Sequence, residues 1–300
     1  MLGILDNSSF ATYHPIVNFI YFMIILIINM SSMNPILLVI SLLGGFSYSV
    51  ILKGTSMIKQ NLLFILPIIL ITTIVNPMFS HDGVTILFYM MGNAVTLEAF
   101  IYGFFMGVLL AGILLWFSCF QVIMTSDKII YLFGRIAPAI ALTISTAFRF
   151  IPLLKTRFEC VTQGQKCMGR DLKEGSYIKR ARQFTKEMSI LIAWSLEAAI
   201  ETSDSMEARG YGLKGRTSFT LFKFGKSDGK LLSIIAIMGG VSILGLLTRH
   251  LSFYFYPALI FPRINWLSIV SIILFTILII LPIGIDIGGE LSWKQFRSKM

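Results

Sequence analysis

The chain has 300 residues, 56% of them hydrophobic and 13% charged, with a mean hydropathy of +0.80. A soluble domain of this size has too little interior to hide that much apolar surface, which excludes a water-soluble enzyme and a disordered chain. The 25 Lys and Arg against 15 Asp and Glu give a formal net charge of +10; in a membrane protein such an excess marks cytoplasmic loops rather than a nucleic-acid partner.

Residues 15–52 carry no Lys, Arg, Asp or Glu. At about 1.5 Å per residue they supply two short helices across roughly 30 Å of hydrocarbon. We place these spans at 16–30 and 35–52, with Ser31, Ser32, Asn34 and Pro35 at the break. Lys53 and Lys59 mark a basic loop. The uncharged run from Gln60 to His81 holds a third span near 61–79, which Pro67 should kink. His81-Asp82-Gly83 is a polar turn, and residues 83–97 are apolar but short, the pattern of a re-entrant or interfacial piece. A fourth span fits 99–123. Asn29, Asn34, Asn76 and Asn93 are candidates for hydrogen bonds between helices.

Composition then shifts. Residues 125–230 hold 18 of the 25 basic and 10 of the 15 acidic side chains, a net of +8. Two further apolar runs follow, 231–248 and 264–285, the second with Pro282 near its end; the tail carries Lys294, Arg297 and Lys299. The expected division is 1–124 for N-terminal transmembrane helices, 125–230 for a cytoplasmic block, and 231–300 for C-terminal helices and a basic tail. With that block in the cytoplasm, the outer loops hold only Arg249 and Arg263. Both termini then also lie in the cytoplasm.

The block does not alternate as a soluble domain would. Residues 136–148 are apolar but bounded by Arg135 and Arg149, and drawing either Arg to the bilayer centre costs about 2.5–3.5 kcal/mol. The segment therefore suits a helix at the headgroup layer or packed among other helices, with Pro138 near its start. Pro152 opens a second stretch, Leu153 to Met168. There Leu154, Phe158 and Val161 form an apolar stripe against Lys155, Arg157, Glu159, Gln163 and Lys166. Gly169 is placed to stop it in the left-handed conformation. A basic linker, residues 170–184, leads to a long helix over Thr185 to Arg209.

On that helix Leu191, Trp194 and Ala198 make an apolar stripe, and Glu197, Glu201 and Asp204 an acidic one. Like charges at this spacing repel by a few tenths of a kcal/mol per pair, and they sit where the helix dipole disfavours anions. A solvated face absorbs that cost; a cationic partner relieves it. Gly210, Gly212 and Gly215 turn the chain after Arg209. Arg209 is either a C-capping side chain, stabilising by about 0.3–1 kcal/mol, or a guanidinium fork presented to a partner's carboxylates or carbonyls.

Little else carries chemistry. Cys119, Cys160 and Cys167 make no disulfide framework, and His14, His81 and His250 have no metal-ligand spacing. There is no phosphate-cradling GxxxxGK[ST] run, so ATP hydrolysis by that chemistry is not expected. Glu98 and Asp286 fall at span ends and read as interfacial residues. The 15 Met and 25 Phe serve lipid-facing packing or adaptable docking. The fold class is an all-α polytopic membrane protein, a bundle of about six transmembrane helices plus long amphipathic cytoplasmic helices. A self-contained secondary transporter would need internal repeats and broken mid-membrane helices. An intramembrane enzyme acting on lipid would need clustered His, Asp or Glu.

The run Ser205-Met206-Glu207-Ala208-Arg209-Gly210-Tyr211-Gly212, followed by Arg216-Thr217, resembles the transmembrane T component of energy-coupling factor transporters. That family carries two Ala-Arg-Gly motifs, each closing a cytoplasmic coupling helix. Ala208, Arg209 and Gly210 match the second. Gly164-Gln165-Lys166-Cys167-Met168-Gly169-Arg170-Asp171 resembles the first, with Cys167 and Met168 in the Ala and Arg positions, Gly169 kept, and Arg170 one residue later. Arg149-Phe150-Ile151-Pro152 resembles the family's entry to that helix.

The resemblance implies a scaffold in a vitamin or metal importer of the ATP-binding-cassette class. It implies two ATPase subunits docked on Ala208, Arg209, Gly210, Cys167, Met168, Gly169 and Arg170. Arg149, Pro152, Glu207 and Arg216 would support the coupling helices. A small membrane subunit would bind substrate. It implies no catalysis, cofactor or metal in this chain, no nucleic acid, and a multi-pass place in the cell membrane.

Overall fold

The computed structural model describes residues 8–81, 83–90, 93–134, 137–170, 176–213, 222–248, 251, 253–256 and 265–299. It divides into two compact units, residues 1–128 with 222–300, and residues 129–221.

The first unit opens with a 3-10 turn, Phe10–Thr12, and α1, Pro15–Ser31. Then come α2, Pro35–Lys53, and α3, Met57–Phe79. Proline at the first helical position of α1 and α2 forfeits an amide that would have no partner there anyway. The side chains of His14 and Asn34 accept the next free ones, from the amides of Ile16 and Ile36. A two-stranded antiparallel hairpin, β1 (Ile86–Met90) and β2 (Asn93–Thr96), leads into α4, Leu97–Ile123. Helices α8, Lys226–Leu247, and α9, Trp266–Lys299, complete the unit.

Helix α4 is the hub, packing against α1, α2 and α3, while α8 joins α1 and α9. Its fully buried Trp116 donates from Nε1 to the carbonyl and hydroxyl of Ser41, at 3.1 and 3.0 Å. Asn29 of α1 donates to the same hydroxyl. Tyr21, Phe22 and Tyr48 surround the indole. This polar knot joins three helices inside apolar packing, where a lone polar group would find no water. Asn34 also bonds across the fold, donating to the Leu251 carbonyl at 3.1 Å.

Between α3 and α4 the contact is closest at Gly103 and Gly107. A β-carbon on Gly107 would stand 2.3 Å from Thr72 Oγ1 and 2.7 Å from Ile69 Cα. Only hydrogen fits there, the small-residue device by which membrane helices bring backbones together. The rest of α3 carries exposed Leu63, Phe64, Leu66, Leu70 and Ile71, a surface suited to lipid.

The second unit holds α6, Pro138–Cys167, and α7, Tyr177–Ala208. Helix α5, Ser126–Gly134, begins just before it. Among the described residues six helices are long and apolar enough to cross a membrane: α2, α3, α4, α6, α8 and α9. The chain is thus an all-α polytopic membrane protein.

Several details differ from the sequence expectations. By length, α6 joins this group and the 17-residue α1 falls short of it. Within the short apolar segment 83–97, residues 86–90 and 93–96 pair as the hairpin and Leu97 starts α4. The hairpin's strand rich in β-branched and aromatic residues, Ile86-Leu87-Phe88-Tyr89, explains the choice. Pro152 does not begin a helix but lies within α6; a proline costs one backbone bond, and the flanking turns hold the helix through it. Helix α7 starts at Tyr177, inside the segment expected as a linker. Its Lys-Arg-Ala-Arg-Gln run consists of good helix formers.

Asp286 and Glu98, expected at span ends, are buried within the protein. Asp286 accepts from the Phe10 amide at 2.7 Å and from the Ser8 hydroxyl, pinning the N-terminal turn to α9. Glu98 accepts from the Thr85 amide at 3.2 Å and from its hydroxyl, pinning the hairpin to α4. Lys128 donates to the carbonyls of Ala11, at 2.6 Å, and Ile123, at 2.9 Å. Burial pushes its ammonium down to about 8.

Candidate functional site

The sequence motifs fall at the two ends of a helical hairpin. Thr162 faces Glu187, Gln165 faces Gln183, and Phe158 meets Phe184 edge-on at 6.1 Å. Further along, the Arg157 guanidinium lies 4.4 Å above the Trp194 ring. Partners descend on α6 as they ascend on α7, so the helices run antiparallel. Met168 and its neighbours therefore sit at the turn of the hairpin. Arg209 sits at the far end of α7, roughly 48 Å away for 32 residues at 1.5 Å each.

Both ends close with the same backbone. At the end of α6 the Arg170 amide donates to the Gln165 carbonyl and the Gly169 amide to that of Lys166, at 3.0 and 2.9 Å. At the end of α7 the Tyr211 amide donates to the Met206 carbonyl and the Gly210 amide to that of Glu207, at 3.0 and 2.8 Å. Each is a Schellman cap, with Gly169 and Gly210 both at φ +75°, where a β-carbon would clash with the backbone.

Met168 and Arg209 occupy the same cap position, at φ −87°, ψ 12° and φ −83°, ψ 7°. Arg170 corresponds to Tyr211, not to Arg209. The first motif thus keeps the geometry of the second and replaces its cation by a thioether. Cys167, Met168, Arg170, Glu207, Ala208 and Arg209 are all exposed, with Met168 at 62%. Arg149, also exposed, and Pro152 lie within the α6 body rather than at either cap. Arg216 lies outside the described residues.

A buried polar cluster supports the first cap, and sequence reasoning missed it. Glu187 is 0% exposed and accepts from the Thr162 hydroxyl at 2.7 Å. Gln183 donates to Glu187 at 3.4 Å and to Gln165 Oε1 at 3.2 Å. Gln165 thus holds the cap with its carbonyl and α7 with its side chain. The signal was a Gln and a Glu four apart on the face of α7 that also bears Leu191 and Trp194.

The acidic stripe Glu197, Glu201 and Asp204 is exposed. So are two apolar stripes, Ile140, Ile144, Phe148 and Ile151 on α6, and Ile192, Leu196 and Ile200 on α7. The antiparallel register places both toward the Arg209 end. Among the described residues no group of three or more His, Cys, Asp or Glu could hold a metal.

The profile of the CbiQ family, described as cobalt transport protein, matches residues 11–219, more than two thirds of the chain. The energy-coupling factor transporter transmembrane protein EcfT of Lactobacillus helveticus is 37% identical over 106 residues, 35% of this chain and 38% of that protein. The EcfT of Streptococcus thermophilus is 35% identical over 116 residues, 38% of this chain and 42% of that one. The EcfT of Listeria innocua is 33% identical over 103 residues, 34% and 39% of the two chains. Each alignment spans about two fifths of the curated relative. A match across most of the chain, two glycine-closed helix ends and a polytopic helical fold agree: the chain belongs to the cobalt transport protein family and is the transmembrane T component of an energy-coupling factor transporter.

Proposed function

We propose that this chain is the non-catalytic scaffold that couples ATP-driven motion to a separate substrate-binding membrane subunit of a vitamin or metal importer. The observation that carries the reading is the pair of identical Schellman caps at opposite ends of the α6–α7 hairpin. Each holds one exposed side chain, Arg209 or Met168, at a fixed place. A rigid helical hairpin gripped at both ends transmits a change of spacing between the grips along its whole length. The two grips are the docking points of two ATPase subunits.

Arg209 meets carboxylates or carbonyls through charge-assisted hydrogen bonds. Met168 meets an apolar hollow, which its flexible thioether fills. The unequal caps suit two non-identical ATPases. The exposed apolar stripes on α6 and α7 face the substrate-binding subunit, whose own surface is apolar. The hairpin, both termini and the Lys53–Lys59 loop lie on the cytoplasmic side, an orientation supported by the excess of Lys and Arg in those segments.

The test is to purify the tagged chain from its native membrane and identify its companions. Two ATP-binding-cassette ATPases and a small membrane protein are expected. A chain that transports or catalyses alone in liposomes would sink the reading.

A further inference from the structure

The backbone-close contact of α3 and α4 at Gly103 and Gly107 gives way, toward the Lys53 end, to side-chain packing of Ile65 with Ala111 and Leu115. Beside that packing lies a cavity of about 300 Å³, the lower end of ligand-pocket sizes. Phe64, Ile65 and Ile68 line it from α3, and Ala111, Leu114 and Leu115 from α4. Asn61 and Ser118, one from each helix, complete the lining, and we take that polar end as its mouth. Pro67 sits at this transition, without the amide that would bond the carbonyl one turn earlier.

From Asn61 to Ile68 the cavity extends about 10 Å along the helix, which fits within one leaflet's share, about 15 Å, of the hydrocarbon core. Leu114 and Phe64 are largely exposed, so the cavity opens on the surface that faces lipid.

The mouth is polar and basic. Lys53 Nζ donates to the Ser118 hydroxyl, and Asn61 donates to Ser49 at 3.0 Å. Among the described residues Lys53 has no carboxylate partner. Residues 53–81 contain no Asp or Glu at all, while Lys59 adds a second cation. An apolar slot that fits within one leaflet, with an uncompensated ammonium at its mouth, matches a molecule with an alkyl tail and an anionic head. We propose that this groove is a binding site for an anionic phospholipid from the Lys53-side leaflet. One acyl chain lies between α3 and α4, and the phosphate rests on Lys53. The site goes beyond the coupling role and does not depend on it.

The test uses the full chain, reconstituted separately with phosphatidylglycerol and with phosphatidylcholine, then washed in mild detergent and weighed by native mass spectrometry. The expected result is one retained phosphatidylglycerol per chain. Lys53→Gln should lower the preference for phosphatidylglycerol over phosphatidylcholine about fivefold, the worth of one cation at an anionic lipid surface. Ala111→Phe fills the slot and should lower retention of both lipids. Equal retention by the wild-type and Ala111→Phe chains, or an unchanged preference in a folded Lys53→Gln chain, overturns the proposal. So does lipid that leaves when the transporter's other subunits bind, since a protein helix would then be the occupant.

Discussion

Replacing Arg209 by Met makes the second cap a copy of the first. Met168 shows that a methionine holds this cap position with the same φ and ψ and the same two closing hydrogen bonds. The substitution therefore removes a cation without moving the backbone. The helix loses only its dipole interaction, about 0.3–1 kcal/mol. A partner carboxylate loses a charge-assisted hydrogen bond worth about 1.5–3 kcal/mol. That corresponds to a roughly 10- to 150-fold weaker complex. The assay is titration of purified ATPase onto the chain in nanodiscs, with far-UV circular dichroism to confirm that α7 is intact. Unchanged affinity in a chain of unchanged helicity would refute Arg209 as an ATPase anchor.

Other outcomes follow from the same geometry. Gly107→Val should force α3 from α4, since its β-carbon meets Ile69 Cα at 2.7 Å; a loss of about 1–3 kcal/mol is expected in thermal unfolding, and a wild-type melting curve would argue against the close contact. Glu187→Leu leaves the Thr162 hydroxyl without its acceptor and the Gln183 amide with Gln165 alone, costing about 1–3 kcal/mol; hydrogen exchange should quicken at residues 165–170, and unaltered protection there would count against the cluster as support for the cap. Lys128 titrates at about 8 in the fold and at about 10.4 unfolded. The unfolded chain therefore binds more protons between these values, and this group's share of stability rises with pH across that window. Lys128→Met should flatten the rise in melting temperature between pH 7.5 and pH 10, scan conditions of about that window; parallel profiles for the two chains would exclude Lys128 as its source.

Much of the bundle was legible because lipid makes a simple demand. Uncharged runs of about 20 residues became α2, α3, α4 and α8 within about five residues of their expected bounds, while α9 runs on through the expected tail to Lys299. The hairpin at 86–96 was not legible, because both its faces are apolar and no period-2 alternation marks it. The early start of α7 was hidden by charge: Lys179, Arg180 and Arg182 looked like a solvated linker, although such side chains favour helix. The second cap could be read from Arg209-Gly210 directly. The alignment of Met168 with Arg209 could also be read, from the kept Gly169; that both side chains sit on the same closing backbone could not, since hydrogen bonds and dihedral angles are not written in a motif. Glu187, Thr162 and Gln183 meet across a chain reversal, a pairing that local pattern does not encode.

An antiparallel pair of similar helices has an approximate twofold axis through its middle, perpendicular to both. Helices α6 and α7 have 30 and 32 residues and end in the same cap, so the hairpin nearly repeats itself under that rotation. In the proposed docking, a single chain thereby offers two like surfaces to a twofold-related pair of subunits, the commonest symmetry of protein dimers. The symmetry is broken by the side chains at the two poles, Arg209 and Met168. Under that proposal, partners that arrive as equivalent halves are told apart at the tips, and the complex acquires a left and a right from one cation.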